Sequence, residues 1–159
     1  MSRHPLKQRS AVVPVQLKKD PNYMVRNILA VIAGLVVANV VNMGLIMLGP
    51  MVVPPPAGAD VSTMEGLNAS IHLFETKHFI FPFLAHALGT LLGALVAALI
   101  SVNRKLMVAL IVGCFSLLGG LAAAWMIPAP LWFEALDILL AYIPMALIGA
   151  KLGGAGRAA

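Results

Sequence analysis

Residues 79–127 have the sequence FIFPFLAHALGTLLGALVAALISVNRKLMVALIVGCFSLLGGLAAAWMI, from which the architecture of the chain can be predicted. It contains two apolar runs, at about 79–102 and 106–127, and each exceeds the roughly 20 residues that a helix needs to cross a bilayer core of about 30 Å. Backbone amides in lipid have to be paired within their own segment, so both runs are predicted to be helices. Because only residues 103–105 join them, the two helices must be antiparallel neighbours.

Two further apolar runs flank this segment, at about 27–49 and 131–152. With 60% hydrophobic and 11% charged residues among 159, the chain is too apolar for an ordinary soluble domain. We predict an all-α, polytopic membrane protein built as a bundle of four transmembrane helices over residues 27–153. A basic tail at 1–26 precedes the bundle, and a short tail at 154–159 follows it.

The basic residues of the chain predict its orientation. Ten of the eleven Lys and Arg residues fall on one side of the four-span pattern, and only Lys77 falls on the other. Cationic residues near the ends of spans are retained in the cytoplasm, so we predict cytoplasmic termini and two outer loops. The polar residues 1–26 lead directly into a membrane-length run, which indicates a retained span and not a cleaved signal peptide. We therefore expect a multi-pass protein of the bacterial inner membrane.

The first outer loop is the one sizeable segment outside the spans. Three prolines at 54–56 favour a stiff, extended stretch that carries the chain away from the first span. Beyond it, Ser62 is expected to cap a helix with Glu65 at its third position. The apolar residues that follow predict a short amphipathic helix from Thr63 to Phe74, lying at the outer membrane interface.

Five basic residues are candidates for docking lipids or a partner protein: Lys18, Lys19, Arg26, Arg104 and Lys105. The chain has a net charge of +5, and its basic residues lie at the ends of the spans without interleaved aromatic residues. This arrangement favours membrane lipids over nucleic acid as the partner of the basic residues. The single cysteine excludes an internal disulfide and a Cys-x-x-Cys site. The sequence has no phosphate-cradling glycine loop, haem signature or His-Glu-x-x-His motif, so no catalytic residue, cofactor or metal is predicted.

Small residues recur along the spans at spacings that let helices pack closely in lipid. Helix association in a membrane has little hydrophobic drive, so close backbone approach has to supply the packing. Pro144 is expected to kink the fourth span. The predicted packing residues are Gly34, Gly89, Gly93, Gly113, Gly119 and Gly120.

Polar residues inside the spans form a candidate intramembrane cluster of Asn39, Asn42, His86, Glu134, Asp137 and Tyr142. Counting inward at 1.5 Å per residue places Asn42, His86 and Asp137 all roughly 10 Å below the outer surface. Ionisable groups at this depth are costly unless they have partners, which predicts that His86 pairs with Asp137. Three interpretations remain open: polar contacts that only hold the helices together, a pocket for a proton or polar ligand, and a metal site.

Three stretches of the sequence resemble small four-span membrane proteins of bacteria: HLFETKHFIFPFLAHALGT at 72–90, the prolines at 54–56 and YIPM at 142–145. The resemblance covers about residues 27–153 and leaves the basic tail outside. It implies a fold and no activity, so no functional residue follows from it.

The sequence predicts a non-enzymatic protein, an accessory or assembly subunit of a larger inner-membrane complex, with other membrane subunits or further copies of itself as partners. The alternative is a small oligomeric transporter or channel that uses the polar cluster for proton or solute coupling. An enzyme of lipid or quinone chemistry is a third possibility.

Overall fold

The computed structural model describes residues 22–156, and all its regular structure is helical. Four helical stretches are long and apolar enough to span a membrane, which confirms the predicted class of helical bundle. Two 3₁₀ turns, Ile71–Leu73 and Thr76–Phe79, lie between α2 and α3. The helices are α1 (Tyr23–Val52), α2 (Met64–Ser70), α3 (Ile80–Ile100), α4 (Lys105–Met126), α5 (Leu131–Leu140) and α6 (Ile143–Leu152).

Hydrogen bonds bring three helix ends together at one end of the bundle. The Arg26 Nε donates to the Ile100 carbonyl oxygen at 2.7 Å, and the Lys105 Nζ donates to the Gly153 carbonyl oxygen at 2.8 Å. The start of α1, the turn between α3 and α4, and the end of α6 therefore lie side by side. We call this the basic end, because its described charged residues are Arg26, Arg104, Lys105 and Lys151. The opposite end carries the connection 53–79 and is called the loop end.

Close backbone contacts at glycines hold α1 against α3. A Cβ added at Gly93 would lie 2.5 Å from the Gly34 carbonyl oxygen, and one at Gly89 would lie 2.9 Å from the Ala38 carbonyl oxygen. Gly113 packs in the same way against Ala146 of α6. Gly119 makes no such contact, because a Cβ there would meet nothing within 4 Å. Successive residues of a helix point about 100° apart, so Gly119 faces outward where Gly120 faces the bundle.

Alanines fill the half of the bundle nearer the basic end. These side chains are fully or almost fully buried between α1, α3, α4 and α6, and they leave the helices in direct contact. Small residues allow such close approach, which is the usual way in which helices associate in lipid. The residues are Ala94, Ala97, Ala98, Ala109, Ala146 and Ala150.

The fourth span is broken into α5 and α6 at Ala141 and Tyr142. Tyr142 has φ −115° and ψ −81°, which is not helical. Pro144 explains the position of the break. Its nitrogen has no hydrogen to donate to the Leu140 carbonyl oxygen, and its ring would collide with the preceding turn of a continuous helix. The sequence analysis expected a kink at this proline within one span, and the structure has two helices with a non-helical residue between them.

The loop helix α2 runs from Met64 to Ser70, whereas the sequence predicted Thr63 to Phe74, and a 3₁₀ turn at Ile71–Leu73 follows it. Thr63 is its N-cap and accepts a hydrogen bond from the Gly66 backbone N–H at 2.9 Å. The predicted cap, Ser62, is wrong because its hydroxyl donates to the Asp60 carboxylate at 2.6 Å instead. Hydrogen bonds from the Ser62 side chain and backbone lower the pKa of Asp60. The Asn68 side chain joins this segment to the end of α4 by donating to the Met126 carbonyl oxygen at 3.0 Å.

Candidate functional site

A buried carboxylate on α5 holds two other side chains of the predicted cluster. Asp137 is 5% exposed and accepts a hydrogen bond from the Tyr142 hydroxyl at 2.7 Å. The His86 Nδ1 lies 3.0 and 2.9 Å from its two carboxylate oxygens. The structure thus places His86 of α3, Asp137 and Tyr142 in one hydrogen-bonded group, which we call the triad.

The helix break and a glycine position the third member of the triad. Tyr142 is five residues after Asp137, which is one residue too far for the i+4 neighbour of a regular helix. The non-helical backbone at Tyr142 turns its side chain back toward α5 and α4. There the aromatic ring lies directly on Gly120, where a Cβ would collide with the tyrosine hydroxyl and ring. The ring is 2% exposed.

One nitrogen of the imidazole is engaged by the triad. The His86 Nδ1 faces both oxygens of the Asp137 carboxylate, and an ionised carboxylate only accepts hydrogen bonds, so Nδ1 is the nitrogen that would donate to it. The Nε2 atom of His86 has no hydrogen-bond partner within residues 22–156. The side chains of His86 and Asp137 are 19% and 6% exposed, so the imidazole is the more accessible part of this pair.

A cavity of about 390 Å³ lies above the triad at the loop end, and we call it the vestibule. His86 and Asp137 are among its lining residues, and Glu134 lines it one turn of α5 nearer the loop end. Most of its lining is apolar, including Phe79 and Phe133, whose ring centroids are 4.8 Å apart. The loop contributes Val61, Leu67, Ile71 and Phe74.

A second cavity of about 380 Å³ lies between α1, α3 and α4, and we call it the cleft. Its lining is more polar than that of the vestibule and includes Asn39, Asn42, Thr90 and Ser116. His86 lines both the cleft and the vestibule. The imidazole therefore lies in the wall between a mainly apolar cavity and a polar one.

The other three members of the predicted cluster do not join the triad. Asn42 lines the cleft, and its buried Oδ1 has no hydrogen-bond partner among the described residues. Asn39 is exposed and donates to the Leu35 carbonyl oxygen of its own helix at 2.9 Å. Glu134 contacts the vestibule and makes no side-chain hydrogen bond within residues 22–156. The sequence analysis grouped Asn42 with the pair by its matching depth, but depth carries no information about helix rotation.

The predicted docking residues have separate positions at the basic end. Arg26 and Lys105 each bond a backbone carbonyl at the end of a neighbouring helix. Among residues 22–156, the Arg104 guanidinium bonds only the Met107 sulfur, at 3.6 Å. Lys18 and Lys19 lie outside the described residues. Within residues 22–156, no three His, Cys, Asp or Glu side chains gather closely enough to hold a metal ion.

Sequence reasoning missed two features of the site. The first is the apolar loop residues that line the vestibule. The sequence contained a sign of them, because Leu67, Ile71 and Phe74 recur at helical spacing and so share one face of a helix. The contact between Gly120 and Tyr142 had none, because it depends on the helix break and on the rotation of α4.

Four apolar membrane-length helices define a multi-pass helical membrane protein, and the buried triad near one end is its distinctive polar feature. No protein-family model, curated protein or solved structure matches this chain.

Proposed function

We propose that this protein is a small, non-enzymatic transporter in a bacterial cytoplasmic membrane, oriented with its basic end inside. It takes a small, mainly apolar solute carrying one hydrogen-bonding group into the vestibule and couples its movement to a proton on His86. The observation that carries the proposal is the triad at the base of an apolar cavity of about 390 Å³. Ligand pockets commonly combine an apolar lining with a few placed polar groups, at volumes of about 300–1,000 Å³.

The chemistry of the triad supports a proton-exchanging role. Asp137, which also accepts a hydrogen bond from Tyr142, contacts the imidazole at Nδ1 and leaves Nε2 available to a ligand hydroxyl or amine. When Nε2 takes up a proton, the adjacent carboxylate stabilises the resulting cation. An ionisable pair this deep in a membrane is costly, which favours a functional role over a purely structural one.

The packing of the bundle limits how a solute passes through. The buried alanines close the half of a single chain nearer the basic end. Passage therefore requires a movement of helices or a path between copies of the chain. The break between α5 and α6 is the natural place for such a movement, because transporters commonly bind their substrates at discontinuous helices.

Recovery of a bound compound from the purified protein tests this proposal. Wild type and His86→Gln are purified in the same mild detergent, extracted with organic solvent and compared by mass spectrometry. We expect one small amphipathic compound in wild type and about tenfold less in the variant, the loss that about 1.4 kcal/mol of hydrogen bonding produces. His72→Gln is the matched control, since His72 is exposed in the loop. Identical extracts from wild type and His86→Gln would contradict the proposal.

An accessory or assembly subunit is the second candidate, and the position of Asn39 favours it. This polar residue lies within the apolar span of α1 and is exposed, and its amide oxygen accepts no hydrogen bond from residues 22–156. Helices in membranes use such amides to bond neighbouring helices. Co-purification of proteins with wild type, Asn39→Leu and the control Val40→Leu tests this function. Equal recovery of partners from all three would remove its support.

A further inference from the structure

A groove of about 740 Å³ runs between the first turns of α1 and α4 at the basic end. Its polar lining residues are at the helix ends: Tyr23, Asn27, Asn103 and Arg104. The residues deeper in the groove are apolar, and Ile32 is nine residues beyond Tyr23, or about 13 Å along α1. The groove therefore changes from polar to apolar in the direction in which a phospholipid changes from headgroup to acyl chain.

The charge at the polar end of the groove is positive. Arg104 is the charged residue of the lining, and its guanidinium makes one side-chain hydrogen bond among the described residues, to the weak acceptor sulfur of Met107 at 3.6 Å. Arg26 and Lys105 lie nearby and are held by backbone carbonyls. All five described acidic residues lie elsewhere, in the loop or on α5.

Neighbouring amides add hydrogen-bonding capacity beside this arginine. The Asn27 side chain accepts from the Ser101 hydroxyl at 2.9 Å and donates to the Asn103 side-chain oxygen at 3.2 Å. These bonds hold both amides at the polar end and leave the Asn103 side-chain nitrogen without a hydrogen-bond partner among the described residues. A guanidinium beside amide donors suits a phosphate diester, because planar donor arrays match its oxygens.

We propose that this groove binds one anionic phospholipid, with its phosphate against Arg104 and an acyl chain along Ile28 and Ile111. The apolar half of the groove favours a lipid over free phosphate as the source of this chemistry. The site is separate from the triad and stands independently of the proposed transport function. Basic grooves between transmembrane helices are suited to anionic headgroups, and each cation near the surface strengthens binding about fivefold.

Native mass spectrometry of the purified full-length protein tests the proposal. Dioleoyl phosphatidylglycerol and dioleoyl phosphatidylcholine are titrated separately onto wild type, Arg104→Gln and Lys151→Gln. We expect one preferred phosphatidylglycerol adduct on wild type, weakened about fivefold in Arg104→Gln and unchanged in Lys151→Gln, whose lysine is exposed outside the groove. Equal binding of the two lipids, or equal loss in both variants, would overturn the proposal.

A second variant tests the apolar half without changing charge. Ile28 is 53% exposed, so Ile28→Trp is expected to fold and to fill the groove where the acyl chain lies. We expect Ile28→Trp to weaken the phosphatidylglycerol adduct. We expect the variant to unfold at the same temperature as the wild type. Inorganic phosphate alone is expected to leave the adduct in place. An unaffected adduct in Ile28→Trp, or displacement by phosphate, would show that the groove does not hold a lipid chain.

Discussion

At the scale of single residues, the pairing of His86 with Asp137 explains how two ionisable groups are tolerated in the membrane. Either one alone would keep a charge or an unpaired polar group in hydrocarbon, at a cost of several kcal/mol. Together with Tyr142, they satisfy one another through contacts of 2.7–3.0 Å. Each of the three polar groups is therefore tolerated in the membrane because of its contacts with the other members of the triad.

The first prediction is that substitutions of the pair are not additive. Asp137→Asn and His86→Gln should each lower the free energy of unfolding by about 1–3 kcal/mol, because each leaves the other residue without its partner. The double variant should cost less than the sum by about 0.5–2 kcal/mol. Reversible unfolding in mixed detergent measures all three changes, with His72→Gln as a control near zero. Strict additivity would show that the two residues do not meet.

The depth of a residue along its span was predictable from the sequence, but its direction around the helix was not. Counting residues from the span ends matched His86 with Asp137, and the structure places them in contact. The same count included Asn42, which lies in the cleft instead, beside Gly89. The rotation of α1 against α3 decides this difference, and it depends on packing between helices that are distant in sequence.

At the scale of helices, the break in the fourth span connects the fold to the site. Pro144 was visible in the sequence as a reason for a kink, and it explains where α5 ends. The result of the break was not visible, because it depends on the space that Gly120 leaves for the Tyr142 ring. Four spans could be predicted because length and hydropathy determine them locally, whereas this contact joins α4 to a segment more than 20 residues away.

The second prediction uses two adjacent glycines of α4. Gly120→Ala should lower the free energy of unfolding by about 1–3 kcal/mol, because the new methyl group would collide with the Tyr142 ring. Gly119→Ala should be neutral or stabilising by up to about 1 kcal/mol, because its methyl group meets nothing and alanine favours helix. Thermal unfolding of the two purified variants makes the comparison. Equal losses of stability would contradict the packing of Tyr142 on α4.

At the scale of the whole molecule, the two ends of the bundle differ in chemistry. The basic end carries four of the five described Lys and Arg residues and the closely packed alanines, and the loop end carries Lys77, the vestibule and the five described acidic residues. This division supports the proposed orientation, because cationic residues near span ends are retained in the cytoplasm. In that orientation the vestibule faces the outside, so the solute would enter from there. The two proposed binding sites accordingly lie at opposite ends of the molecule.

The third prediction is that the loop and the carboxyl terminus face opposite sides of the membrane. Single cysteines at Ala57 and Ala159, introduced separately in a Cys114→Ser background, are treated with a membrane-impermeant maleimide on intact cells. We expect labelling at position 57 and none at 159 until the cells are opened. Labelling of position 159 from outside would reverse the proposed orientation and the direction of solute entry.

The proposed transport depends on the protonation of His86, because it requires Nδ1 to be held by Asp137 and Nε2 to be the exchanging atom. Protein with ¹⁵N-labelled histidine is placed in lipid bilayers, and its ring nitrogens are followed by solid-state NMR over a range of pH, with His86→Gln identifying the signals. We predict that His86 Nδ1 keeps its proton throughout while Nε2 gains and loses one, and that Asp137→Asn abolishes this asymmetry. A neutral imidazole with its proton on Nε2, or signals that Asp137→Asn leaves unchanged, would contradict the account.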